Sequence, residues 1–138
     1  MIAVIDASAA AEIILQRPSS TELVNLLNDA EWVIAPTVYV AEMSNVFWKY
    51  QSFTDLSQAD CETHLDNAID LPDDLINDKE LYREAFKLGC TLDHSIYDML
   101  YLVLARRHNA TLLTMDKKLL KDAEQSGVTI WKTETIQL

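Results

Sequence analysis

The stretch HSIYDMLYLVLARRHNATLLTMD, residues 94–116, decides the fold. It reads as an amphipathic helix from about Ser95 to Arg107, a tight connection, a short apolar strand over 111–114, and an acid just beyond the strand. Asp98 falls in the first turn of that helix and Asp116 at the mouth of that strand. A helix returning to a strand of a parallel sheet brings those two positions to the same sheet edge. Carboxylates gathered there need a reason, and a divalent cation supplies one.

The pattern repeats on both sides of this stretch. Ile2 to Ile5 is an apolar run too short for a helix, suited to a strand buried on both faces and ended by Asp6. ASAAAEIILQ follows as a helix that Pro18 stops, and Ser19 with Glu22 has the form of a capping box opening a second helix. Trp32 to Ala35 gives another strand, closed by Pro36. Thr37 is placed to cap a helix in which Tyr39, Met43, Val46, Phe47 and Tyr50 recur at helical spacing, with Glu42 and Asn45 three apart on another face. Ser57 and Asp60 cap a fourth helix; Ile69 to Pro72 suggests a brief edge strand; Asp78 opens a helix that Gly89 terminates. Asp116 then starts a helix ended by Gly127, and Val128 to Lys132 is the last strand. Strands alternating with helices throughout predict a three-layer α/β fold around a mostly parallel sheet, with residues 1–138 as a single domain.

Composition narrows the classes. An apolar content of 49% with two Gly and three Pro belongs to a packed, helix-rich domain rather than a disordered or fibrous chain. Cys61 and Cys90 lie far apart without metal-type spacing, which predicts reduced thiols, both at least half-buried. No run approaches the roughly 20 apolar residues of a membrane span, and MIAVID has no basic leader region, so the expectation is a soluble, cytoplasmic protein. The net charge of −11 opposes unaided contact with a polyanion. Cations held by the acids, or a local basic patch, would relieve that repulsion. Arg106, Arg107, Lys117, Lys118 and Lys121, five of the eleven basic residues, cluster in and just after the opening stretch, with Arg106, Arg107, Lys117 and Lys118 as candidates for nucleic-acid contact; the alternative is a solvated helix end that complements the helix dipole.

Asp6, Glu42, Asp98 and Asp116 all map to one end of the sheet, where open parallel sheets build their sites. Each also has a structural role open to it: Asp6 and Asp116 as helix caps, Asp98 as partner of Ser95 in a capping box, Glu42 as an exposed helix acid. Four at one edge are harder to explain that way than one. Carboxylates within about 4–6 Å repel unless a positive charge joins them, and oxygen-only donors select Mg²⁺ or Mn²⁺ over zinc. Such an ion orients or ionises a water and neutralises charge growing on a phosphate, which suits hydrolysis of RNA or DNA. Ser8 and Thr114 are placed to hydrogen-bond a carboxylate or a metal-bound water, and Asn45 to orient Glu42. His64 and His108 read as surface or helix-end residues. His94 reads as structural in preference to a phosphate contact. The absence of G-x-S-x-G and of any Gly-rich loop argues against acyl transfer and nucleotide-binding folds.

Three segments, VIDASAAAEIIL, APTVYVAEMSNVFWKY and HSIYDMLYLVLARRHNATLLTMDKKLL, resemble in order and spacing the PIN-domain nucleases, and within them the VapC toxins of bacterial and archaeal toxin–antitoxin pairs. The resemblance implies strand order 3-2-1-4-5 and an acidic quartet, Asp6, Glu42, Asp98 and Asp116, that binds Mg²⁺ or Mn²⁺ and cuts RNA. It assigns accessory polar roles to Ser8, Asn45 and Thr114. It also implies a homodimer, and a small antitoxin whose C-terminal segment covers the active-site groove. Two other functions fit a chain of this kind: a non-toxin nuclease of RNA processing, and a non-catalytic partner-binding module. A haloacid-dehalogenase-type phosphatase would need an acid at Ser8, and a response-regulator receiver would need one at Ala7.

Overall fold

A computed structural model of the chain describes residues 1–131. Five short strands, β1 (Ile2–Ile5), β2 (Trp32–Pro36), β3 (Asp74–Ile76), β4 (Thr111–Leu113) and β5 (Thr129–Ile130), form one sheet of order β3-β2-β1-β4-β5. Every pairing is parallel, with Ala3 opposite Val33 and Thr111, and Ile34 opposite Asp74. This is the three-layer architecture and strand order expected from the sequence. The part of the last predicted strand at Lys132 lies outside the described residues.

Among the described residues seven α-helices connect the strands: α1 (Ala7–Ile14), α2 (Ser20–Asp29), α3 (Val38–Phe53), α4 (Gln58–Ile69), α5 (Tyr82–Leu92), α6 (Ile96–Arg107) and α7 (Lys117–Gln125). Right-handed crossovers send α1 to α4 to one face and α5 to α7 to the other. The helix packing agrees: α1 meets α2, α3 and α4, while α6 meets α5 and α7. β1 lies at the centre, with Ala3, Val4 and Ile5 fully buried. Against it packs α6, in which Met99 to Ala105 are all buried. Where the sequence suggested an amphipathic helix, its middle turns are instead apolar and buried all round, because the sheet and two helices enclose them.

Local details depart from expectation where tertiary partners replace local caps. The Ser19 side chain makes no cap bond to α2; its backbone N–H instead donates to Glu12 Oε2 at 3.0 Å. Thr37 does not cap α3 either. Its hydroxyl accepts from Asp78 N–H at 3.1 Å, while Asp78 Oδ1 accepts from Val38 N–H, so Asp78 caps across the sheet edge rather than opening a helix of its own. Asp78 to Glu80 form a single 3₁₀ turn before α5. Ser57 caps α4 through Asp60 N–H, as expected. The edge strand comes at Asp74–Ile76 instead of Ile69–Pro72, since α4 runs on to Ile69 and Asp73 must first turn back, accepting from Val33 N–H at 2.8 Å. Cys61 is buried and Cys90 exposed, both as free thiols, so only the first fits the expected burial.

Gly89 does not end its helix. It lies inside α5, and the left-handed terminating residue is Asp93, with φ 51°. A Cβ on Gly89 would collide with Ile96 Cδ1 and stand 2.9 Å from the carbonyl oxygen of His94. The second atom is backbone and cannot swing aside. A Gly-to-Ala change inside an unconstrained helix stabilises by up to about 1 kcal/mol. We predict the opposite sign for Gly89→Ala, a loss of about 1–3 kcal/mol in denaturant unfolding, from overpacking against the turn into α6. A stabilised variant would contradict this close approach.

Candidate active site

Asp6 leaves β1 directly into α1 and is that helix's cap, its Oδ1 accepting from Ala9 N–H at 2.9 Å. The same oxygen accepts from Ser8 Oγ at 2.7 Å, and Oδ2 accepts from Thr114 Oγ1. The hydroxyls of Ser8 and Thr114 in turn accept backbone N–H bonds from Met115 (2.9 Å) and Asp116 (3.1 Å). One buried network thus stitches the end of β1 to the end of β4. Asp6 therefore caps a helix and also faces the cleft. Burial of the Asp6 carboxyl, 5% exposed, raises its pKa to about 7. The bonds from Thr114, Ala9 and Ser8 oppose the rise, and the nearby Asp98 charge adds to it.

Glu42 stands in the second turn of α3. Burial lifts its pKa, the Tyr101 hydroxyl opposes that by donating to Oε1 at 2.6 Å, and the Asp98 and Asp78 charges raise it further. Tyr101 was not among the residues the sequence singled out. A tyrosine three positions after Asp98 on an otherwise apolar helix was the available signal, because a buried phenol hydroxyl needs a partner. Burial and the Glu42 carboxylate push its own pKa well up. Asn45, expected to orient Glu42, is instead exposed and borders a neighbouring groove with Val38, Ala41, Glu42 and Tyr97.

Asp98 opens α6, but Ser95 does not cap that helix. Asp98 Oδ2 meets His94 Nε2 at 2.7 Å, and His94 Nδ1 meets Asp122 Oδ2 on α7 at 2.5 Å. Burial disfavours the charged His94 ring, but its bonds to Asp122 and Asp98 outweigh that and raise its pKa. This is the structural role preferred for His94 from sequence. Asp116 caps α7, its Oδ1 accepting from Lys118 N–H at 2.9 Å and Leu119 N–H at 3.2 Å, with its side chain at the surface.

These acids meet. Asp6, Ser8, Glu42, Asp98, Tyr101 and Asp116 line one cleft of about 220 Å³ at the carboxyl edge of the sheet, with Thr114 fully buried behind Asp6. The candidate basic residues divide. Arg106 and Arg107 sit at the far end of α6, about 12 Å along its axis from Asp98, where both pair with Glu84 at 2.5 and 2.9 Å. They do not face the cleft. Lys117 and Lys118 follow Asp116 directly, Lys117 exposed and Lys118 Nζ reaching the Asp93 carbonyl at 3.2 Å.

Whether this site suits a cation can be judged from its donors. All are oxygens, and the acids with raised pKa values, Asp6 and Glu42, are short of positive charge. Among the described residues no three of His, Cys, Asp and Glu stand close enough together to hold a metal ion between them. The arrangement suits a hard, hydrated ion bound through one or two carboxylates, as Mg²⁺ commonly is, and not a closed cage.

Comparison with known proteins agrees with the geometry. The sequence matches the PIN domain family over residues 3–124. The fold is similar to the crystal structure of PAE2754 from Pyrobaculum aerophilum, with a TM-score of 0.75, 18% identity, and coverage of 94% of this chain and 83% of that one. At that identity the likeness is one of fold. No curated protein matches the chain significantly. PIN domains are generally nucleases that act on RNA and typically use divalent metal ions. With the family matched from the first strand through the last helix, and the acids at the sheet edge in one cleft, the chain belongs to the PIN-domain family.

Proposed function

We propose that this PIN domain is a Mg²⁺- or Mn²⁺-dependent endoribonuclease, with Asp6, Glu42, Asp98 and Asp116 holding the ion directly or through its water. The observation that carries the reading is the convergence of these four acids, from four separate elements, on one cleft whose innermost carboxylate is fixed by three donors. A bound divalent ion would supply an ionisable water and charge neutralisation at the scissile phosphate.

The chain's own residues do the rest. Ser8, Thr114 and the Ala9 N–H hold both oxygens of Asp6. Tyr101 restrains Glu42, and the helix N-terminus behind Asp116 fixes one of its oxygens. Lys117 and Lys118, beside Asp116, offer positive charge to the RNA backbone, which a chain of net charge −11 otherwise repels. Asn45 borders the adjoining groove, a surface for flanking nucleotides.

We further propose that the protein is a cytoplasmic toxin of the VapC kind, a homodimer neutralised by a small antitoxin laid across the groove. The resemblance of the three quoted segments supports this, as does the exposed Tyr97, 62% accessible, on the groove beside Glu42.

Purified protein is expected to cleave RNA with Mg²⁺ or Mn²⁺ and to stop when EDTA is added. Asp6→Asn and Asp98→Asn should each lower the rate about 100-fold or more, the scale of removing one preorganised electrostatic group. Full activity in either variant would refute the site assignment. Expression alone should arrest growth, and co-expression of the neighbouring small protein should restore it; unaffected cells containing folded protein would refute the toxin role.

The raised pKa of Asp6 sets a pH dependence. A pKa raised on folding from 3.8 to about 7 gives a stabilising contribution fully present below 3.8 and lost as pH rises through 7. Metal-free wild type should therefore fall behind Asp6→Asn in stability between pH 5 and pH 8, by a few kcal/mol at most on the order set by that shift. Denaturant unfolding of both proteins in EDTA measures it. An unchanged difference across that range would show that the charged carboxylate is not penalised.

A further inference from the structure

The Asp98 carboxylate is gripped by the His94 side chain, which itself lies outside the cleft. His94 precedes α6 in the turn from α5, and its side chain is only 4% exposed. Each ring nitrogen lies within hydrogen-bond distance of a carboxylate oxygen, Asp98 Oδ2 at 2.7 Å and Asp122 Oδ2 at 2.5 Å. A ring anchored at both nitrogens and closed in by packing has no free rotamer to visit. We propose that His94, braced by Asp122, is a positioning residue for Asp98, committing Oδ2 to the interior so that the other oxygen is presented to the cleft. The inference rests on the reading of Asp98 as a cation-holding carboxylate.

The surrounding backbone is built to place that ring. Asp93 adopts the left-handed conformation that turns the chain out of α5. His94 N–H then donates to the Gly89 carbonyl at 3.1 Å, and the His94 carbonyl oxygen comes close enough to leave no room for a Cβ on Gly89. Lys118 Nζ donates to the Asp93 carbonyl, so α7 holds the turn at the same time as its Asp122 holds the ring. Three separate features thus converge on one imidazole: a glycine without alternative, a left-handed turn, and a carboxylate from another helix. A purely local role for Asp98 would require none of them. With Ser95 giving α6 no side-chain cap, a released Asp98 could also turn back toward the free N–H groups of its own helix. Partners that orient a ligating carboxylate typically change metal affinity about 10–100-fold when removed.

Titration calorimetry with Mn²⁺ on the metal-free full chain tests the proposal. His94→Ala should weaken Mn²⁺ binding about 10–100-fold. His94→Gln, whose amide reaches near the position of Nε2, should recover most of that loss, a rescue that a merely space-filling role would not give. Glu84→Gln, which breaks the ion pairs at the far end of α6, should leave Mn²⁺ affinity unchanged. Should His94→Ala fail to fold, the comparison is read on Asp122: Asp122→Ala should weaken binding and Asp122→Asn, which keeps an acceptor for the ring, should not. Wild-type Mn²⁺ affinity in folded His94→Ala, or in Asp122→Ala where that is the variant available, overturns the positioning role alone. A wild-type protein that binds no Mn²⁺ overturns the cation site, and this inference with it.

Discussion

A carboxylate buried at the end of the central strand is the constraint around which this molecule is arranged. Asp6 has almost no access to solvent, so its charge cannot be settled by water and must be met by fixed donors. The chain provides them from both sides of the strand pair: Ser8 and Ala9 from the start of α1, Thr114 from the end of β4. Those donors are in turn fixed by backbone N–H groups at Met115 and Asp116. The Trp131 indole N–H closes the far side by donating to the Thr114 carbonyl at 2.7 Å. The result is a rigid floor for the cleft. The hydrogen bonds do not fully offset the burial, since the pKa remains raised to about 7, and a cation is the natural complement.

α6 carries the second half of the arrangement. Its middle turns are core, enclosed by the sheet on one side and by α5 and α7 on the others. Its two ends serve different purposes. The first turn delivers Asp98 and, one turn on, Tyr101, which fixes Glu42 from across the cleft. The last turn ends in Arg106 and Arg107, whose charges are taken up by Glu84, with burial of that carboxyl outweighed so that its pKa falls. That ion pair lies at the surface and contributes little to stability; its relevance is that it keeps two of the few cations away from the acids.

The sequence made the sheet legible because parallel strands buried on both faces leave short apolar runs, each ended by a polar residue. The acids Asp6 and Asp116 were legible for the same reason, as the residues that stop those runs. Three things were hidden. β3 is a three-residue edge strand beginning with Asp74, whose carboxylate accepts from the Trp32 indole, and nothing in its composition marks a strand. The burial of α6 depends on what encloses it, which a single helix's periodicity does not carry. Side-chain partners separated by long stretches of chain, such as Glu42 with Tyr101 and His94 with Asp122, arise only once the layers are stacked. For that reason the quartet could be named from sequence and its supporting residues only in part: Ser8 and Thr114, close to the acids in sequence, but not Tyr101 or Asp122.

The same logic explains why local capping rules misled at Ser19, Thr37 and Ser95. Each stands at a helix start with the right residue type, and at two of them a tertiary acceptor is on the spot: Glu12 for the Ser19 N–H and Asp78 for the Val38 N–H. At the third, Asp98 turns to His94 instead. Binding of a divalent ion in the cleft where the four acids converge can be checked by diffraction from crystals grown with Mn²⁺, recorded where manganese scatters anomalously. An anomalous peak is expected in the cleft bounded by Asp6, Glu42, Asp98 and Asp116. Peaks confined to other surface acids, with that cleft empty at saturating Mn²⁺, would contradict it.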